Sequence, residues 1–195
     1  MKTKTILTVI MAYVLSVCAL AQEKEKRFGF ELNGGFALPV SELDGAKLNP
    51  GVGFEGIFHY RFMPHLGAYA GWGWNHLNAD DSFAGSDMDF EETGYLLGLQ
   101  YQRKLGKSAV DWFVRAGGLY NHIETENPDG DIINDTGHDF GWQVAAGIDV
   151  HLGKNWSLAP GVKFNSLSRD TEFENAEKQI DYKYLSFRVG LIKRF

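Results

Sequence analysis

The sequence predicts an all-β fold, an eight-stranded antiparallel up-and-down barrel that crosses a membrane with its strands. Three observations predict it. From Phe28 onward, segments of about ten residues alternate apolar with small or polar side chains. The connections between them alternate between short and long. The face opposite the apolar one is crowded with glycine and with charges of both signs. Composition agrees, since 23 Gly against 5 Pro with 14% aromatics favours repeated hairpins over helices.

The chain opens on a stretch that reads as an export signal. Lys2 and Lys4 precede an apolar run over 6–20, and Ala19-Leu20-Ala21 supplies the small residues a signal peptidase requires. Cleavage is expected before Gln22, which divides the chain into a removed segment 1–21 and a barrel domain 22–195. Two alternatives are an uncleaved anchor, for which the run is short, and a lipoprotein signal ending at Cys18, against which stands the bulky Val17. Removing 1–21 leaves no cysteine, and so no disulfide, thiolate nucleophile or Cys-based metal site. It also leaves 17 basic and 25 acidic residues, a net charge of −8 that argues against nucleic acid as a partner. No other stretch is long and apolar enough for a transmembrane helix.

Each segment is justified by its period of two, which sends alternate side chains to opposite faces. The first, 28–38, sets Gly29, Glu31 and Gly35 on the polar face. In the second, 51–62, Val52, Phe54, Phe58, Tyr60 and Phe62 oppose Gly51, Gly53, Glu55, Ile57, His59 and Arg61. The third, 66–76, opposes Ala68, Ala70, Trp72 and Trp74 to Gly67, Gly71 and Gly73, and the fourth, 93–103, Tyr95 and Tyr101 to Gly94 and Gly98. The fifth, 111–122, is less clean, because Phe113 and Leu119 share a face with Asp111, Arg115 and Asn121. In the sixth, 140–152, Phe140, Trp142, Val144, Ala146, Ile148, Val150 and Leu152 oppose Gly141, Gln143, Ala145, Gly147, Asp149 and His151. The seventh, 156–167, puts Trp156 opposite Gly161 and Lys163. The eighth, 182–195, sets Leu185, Phe187, Val189, Leu191 and Phe195 against Tyr184, Ser186, Arg188, Gly190 and Arg194.

Alternation alone fits two opposite barrels, a soluble lipocalin-like binder with its apolar face inward and a membrane barrel with that face outward. The polar face decides. A narrow eight-stranded interior must interleave glycines with a few long side chains, and Glu31, Glu55, Arg61, Asp111, Arg115, Asp149, Lys163 and Arg188 form the expected interior polar network. Glu55 with Arg61 or Arg115, and Asp149 with Lys163 or Arg188, are the candidate pairs, and register decides among them. Aromatics gather at both ends of the apolar face: Tyr60, Phe62, Tyr101, Trp112, Trp156 and Phe195 at the short-turn end, Trp72, Trp74, Tyr95, Tyr120, Phe140 and Trp142 at the other. Membrane barrels carry two such girdles.

The four long connections, 39–50, 77–92, 123–139 and 168–181, are expected to be mobile polar loops. They hold 19 acidic and 3 basic residues, so the negative charge sits at one end. Divalent-cation binding is the sharper reading, although the segment 127–131 lacks the full ligand spacing and terminal Glu of a calcium loop. His59 and His151 fall on the interior face, His65 in a turn, and His76, His122 and His138 near the rim. None lies in an H-x-H or HExxH motif. No catalytic, cofactor-binding or metal-binding residue is therefore assigned.

With these features in view, the chain is similar to the small bacterial outer-membrane barrels of the OmpA/OmpX type, the broad "outer membrane protein β-barrel domain" or porin-family group. The resemblance covers 28–195. Its most specific element is the last segment, where Phe187, Val189, Leu191 and the terminal Phe195 resemble the signal read by the barrel-assembly machinery. The resemblance implies an outer-membrane location with membrane lipids and lipopolysaccharide as neighbours, and no single function. The expected role is structural or surface-interacting, through acidic loops toward an extracellular partner. A narrow pore for small solutes and a lipid A-modifying enzyme are the alternatives.

Overall fold

The computed structural model describes residues 26–43, 45–173 and 176–195, so the predicted signal over 1–21 lies outside the described residues. Among the described residues nine strands form: β1 (Phe28–Pro39), β2 (Gly51–Arg61), β3 (Leu66–Ser82), β4 (Gly85–Lys104), β5 (Val110–Glu126), β6 (Ile132–Asp135), β7 (Asp139–Gly153), β8 (Trp156–Phe173) and β9 (Ala176–Arg194). Eight of them close a barrel in the order β1-β2-β3-β4-β5-β7-β8-β9, each antiparallel to its neighbours, with β9 returning to β1. The ninth, β6, lies outside the wall and pairs with β5.

The registers fix the shape. Paired residues followed once round the wall from Phe28 pass through Tyr60, Ala68, Leu99, Ala116, Val144, Phe164 and Leu185. They return to β1 at Leu38, ten residues farther on. Such an offset in eight strands tilts them by roughly 40° and leaves an interior that side chains can fill. Because the offset is even, every strand keeps one face inward all the way round. The outward face carries Phe36, Leu97 and Phe140, which are 67%, 66% and 75% exposed, while Glu31, Glu55 and Asp149 on the inward face are at most 3% exposed. This inverts the arrangement of a water-soluble barrel and fits a hydrocarbon surround. Phe113 and Leu119, ambiguous in the sequence, are buried inside.

Two aromatic girdles ring the outward face. Trp72, Tyr95, Tyr120 and Phe140 follow one another across β3, β4, β5 and β7. At the short-turn end Phe28 stacks on Tyr60 at 4.9 Å and on Phe195 at 6.4 Å, and Lys193 lies 4.7 Å over the Trp156 ring. The β7–β8 connection is a two-residue turn with Lys154 and Asn155 both left-handed (φ 50° and 71°). That is the pattern of a hairpin turn matching strand twist.

Two connections expected as long loops are β-ribbons instead. β3 continues to Ser82 and β4 begins at Gly85, leaving Phe83 and Ala84 as the tip. β8 and β9 pair likewise as far as Phe173 and Ala176. The reason is that the period of two does not stop at the girdle. Leu77, Ala79, Met88 and Phe90 continue inward, as do Leu167, Ile180 and Tyr182 across the mouth, all nearly or fully buried. Asp80, Asp89 and Glu91 take outward positions between them, which gives the segment its loop-like composition.

The described parts of the first connection, 40–43 and 45–50, fold over the mouth. Ser41 Oγ donates to the Asp181 carbonyl at 2.5 Å on one side, and Asn49 N donates to the Asn78 carbonyl at 2.7 Å on the other. Leu43, Ala46 and Leu48 drop between the ribbons and are 0–5% exposed. They join Leu77, Phe90, Ile123, Leu167, Ile180 and Tyr182 in one apolar cluster that caps the barrel.

Candidate functional site: the filled lumen and the acidic rim

Beneath the apolar cap the lumen holds a continuous polar network, built because inward positions on facing strands meet across a narrow bore. Glu31 on β1 takes the Arg115 guanidinium of β5 through two hydrogen bonds of 2.6 and 3.3 Å, and lies 2.9 Å from His59 Nε2. Arg115 Nε donates to Gln100 at 2.7 Å. Glu55 on β2 is paired with Lys163 of β8 and faces Arg188 of β9 at 3.9 Å. Asn33 bridges the two carboxylates, donating to Glu31 at 3.0 Å and Glu55 at 3.3 Å, and accepts from Arg188 at 3.2 Å. Nearer the cap, Glu92 is fully buried among neutral donors: Asn75, Asn121 and the Tyr184 hydroxyl. Small residues make room. A Cβ on Gly98 or Gly117 would come within 2.6 Å of the Tyr69 hydroxyl, which lies across both.

At the short-turn mouth, Arg194 pairs with Asp149 and donates to Ser157 Oγ at 2.6 Å, and Gln102 donates to Asp111 at 2.9 Å and Asp149 at 3.0 Å. His151 stands 3.1 Å from Ser157 Oγ and 3.3 Å from Asp111. The Ser–His–Asp order resembles a nucleophilic triad, but Ser157 is fully buried and its oxygen is already occupied by Arg194. A nucleophile needs an open approach to its substrate.

The candidate network residues Glu31, Glu55, Asp111, Arg115, Asp149, Lys163 and Arg188 all sit on inward faces, and Arg61 lies at the short-turn mouth, donating to the Lys26 carbonyl at 3.3 Å. Two pairings differ from those considered. Arg115 binds Glu31 and not Glu55, and Asp149 binds Arg194 and not Lys163 or Arg188. The ten-residue offset decides this, because partners face each other across the bore at the same height, not at the same distance from a turn. The sequence places Asn121, Tyr184 and Arg194 on the polar face without marking them as network members, and Asn33, Asn75 and Glu92 are not singled out. Their inward parity was the available signal for them.

The rim is the second feature. On the outward face above the upper girdle, one row runs His76, Glu91, Glu124, Asp135 across β3, β4, β5 and β6, and Asp89 pairs directly with Glu126. Like charges directly opposed destabilise a sheet unless something offsets them. Some offset is local: His76 Nε2 lies 3.3 Å from Asp89, Trp74 Nε1 donates to Glu91 at 2.8 Å, and His122 Nδ1 lies 3.1 Å from Asp135. Partial burial opposes it, but the Gly137 N–H and His122 hold the Asp135 carboxyl below the usual carboxylate range. Burial and the charges of Glu91, Glu124 and Asp89 push the Glu126 carboxyl above that range.

A closed sheet with lipid-compatible residues outside, paired charges inside and a carboxylate-rich rim at one end defines a membrane β-barrel. The chain belongs to the outer membrane protein β-barrel domain family, whose model matches residues 9–195. No curated protein matches it. Among solved structures it is similar to Neisserial surface protein A (TM-score 0.60, 14% identity, 88% of this chain and 98% of that one). It is also similar to the outer membrane protein OprG from Pseudomonas aeruginosa (TM-score 0.58, 18% identity, 88% and 97%) and to the Escherichia coli outer membrane protein W (TM-score 0.54, 14% identity, 88% and 100%). The likeness is one of fold.

Proposed function

We propose that this chain is an integral outer-membrane protein with a structural or surface-interaction role, which holds an acidic rim outside the cell on a barrel that does not conduct. The observation that carries the reading is the filled lumen: charged pairs at mid-height and an apolar plug made by Leu43, Ala46 and Leu48 at the outer mouth. A solute path would have to break buried ion pairs, each costing several kcal/mol. The acidic rim and its rigid ribbons form the surface that an extracellular partner would meet.

The same reading includes export by a signal removed before Gln22. It includes assembly through the outward row Phe187, Val189 and Leu191 on β9, the strand that closes onto β1, with Phe195 just past its end. Membrane lipids and lipopolysaccharide surround the apolar belt. Planar-bilayer recording of the purified chain tests the central part. No steady single-channel steps are expected, and steady, large currents from the intact chain would contradict the reading.

A further inference from the structure

The outer row holds one cluster that is more than a collection of carboxylates. His122 and Glu124 stand two apart on β5 with side chains on the same outward face, while Ile123 between them is fully buried. Asp135 on β6 is paired directly with Glu124. His122 Nδ1 lies 3.1 Å from Asp135 Oδ1 and 3.8 Å from Glu124 Oε1, and one ligand atom from each of the three residues falls within 4.8 Å of the others.

We infer that His122, Glu124 and Asp135 form a binding site for one divalent transition-metal ion of the zinc class, independent of the role proposed for the barrel. In four-coordinate zinc, bonds of about 2.0–2.1 Å place neighbouring donors roughly 3.3 Å apart. The two separations from His122 straddle that value and the carboxylates lie within 4.8 Å of each other, so side-chain rotation alone can bring the three donors onto one ion. The ion takes the Nδ1 lone pair of the neutral His122 imidazole, whose N–H is then carried on Nε2. An imidazole with two carboxylates favours zinc-class ions over calcium, which takes six to eight oxygens. Water completes the coordination shell.

The support around the donors is built as metal sites require. The Gly137 N–H donates to Asp135 Oδ1 at 2.9 Å and fixes its carboxylate. Thr136 N donates to the Ile123 carbonyl at 3.0 Å, and Ile123 N donates back to Thr136 Oγ1 at 3.0 Å, so the segment carrying Asp135 is stitched to β5. The His138 ring stacks on His122 with centroids 4.5 Å apart. There is also a demand for a cation. Glu124 faces a carboxylate on each neighbouring strand, and residues 77–92 and 123–139 contain no Lys or Arg. Arg169 reaches this connection from inside but donates to Thr136 Oγ1 and the Gly137 carbonyl.

The test is calorimetric titration of the full chain, folded in non-ionic detergent, with Zn²⁺, repeated with Co²⁺ while following its visible absorption. One Zn²⁺ per chain is expected, undisturbed by a large excess of Ca²⁺. His122→Ala and Asp135→Asn should each weaken binding by about tenfold or more and abolish the Co²⁺ bands, since ligand loss exceeds the effect of losing a supporting contact. His76→Ala should leave both unchanged. Heat-modifiable gel migration establishes that each variant is folded. Absence of saturable Zn²⁺ binding would overturn the inference. Equal competition by Ca²⁺, or folded His122→Ala binding Zn²⁺ as the unsubstituted chain does, would overturn it too.

Discussion

At the scale of single residues, the lumen is held by charges that cannot be left alone. Arg115 is shared between Glu31 and Gln100, and its removal strands a buried carboxylate with only His59 and Asn33 within hydrogen-bond distance. Arg115→Ala is expected to destabilise the folded barrel by about 3–5 kcal/mol in urea-dependent refolding into lipid vesicles. Arg115→Met with Glu31→Leu should cost much less than the two single changes together, because the pair leaves as a unit. Additive losses would mean the two side chains are not coupled. Gly117 gives a steric counterpart. Its Cβ would sit 2.4 Å from the Leu97 carbonyl oxygen and 2.6 Å from the Tyr69 hydroxyl, both on ordered neighbours. Gly117→Ala should therefore cost roughly 1–3 kcal/mol in the same assay. At this scale the sequence told which residues face inward, since parity alone does that. It did not tell who meets whom, because the Glu31–Arg115 and Asp149–Arg194 pairs depend on a tilt that only all eight registers together define.

At the scale of elements, the wall strands follow from the period of two, and the same period explains what the composition concealed. Residues 77–92 look like solvated loop because six of them are acidic, yet Leu77, Ala79, Met88 and Phe90 keep the inward beat and make a ribbon. The plug was harder to read. Leu43, Ala46 and Leu48 follow no strand period, and their place is set by Ser41 and Asn49 tying the connection to opposite sides of the mouth. The His122–Glu124–Asp135 cluster was hidden for a related reason, since it exists only once β6 folds back on β5. Hydrogen exchange separates ribbons from loops. Amides of 77–81 and 88–92 should be protected well beyond those of 129–131, because a ladder must open cooperatively before it exchanges while 129–131 are held only by an exposed local turn on Asn127. Equally fast exchange in both stretches would restore the mobile-loop description. Leu43→Asp should loosen the plug, seen as faster exchange at Ile180 and Tyr182, while the barrel itself stays folded.

At the scale of the whole molecule, one asymmetry organises everything: apolar surface outside, charge within, carboxylates at one end. In detergent the unheated chain should run as a compact species on a gel and shift on boiling, as a closed sheet resists unfolding that open chains do not. The most direct check uses a single spin label at Leu97→Cys, in the chain without Cys18, reconstituted into lipid vesicles. Leu97 is 66% exposed, and its neighbour Leu96 points into the lumen at 3%. The label should be relaxed strongly by oxygen, which concentrates in acyl chains, and little by a water-soluble nickel chelate. Stronger relaxation by the chelate than by oxygen would place this face in water and contradict the account.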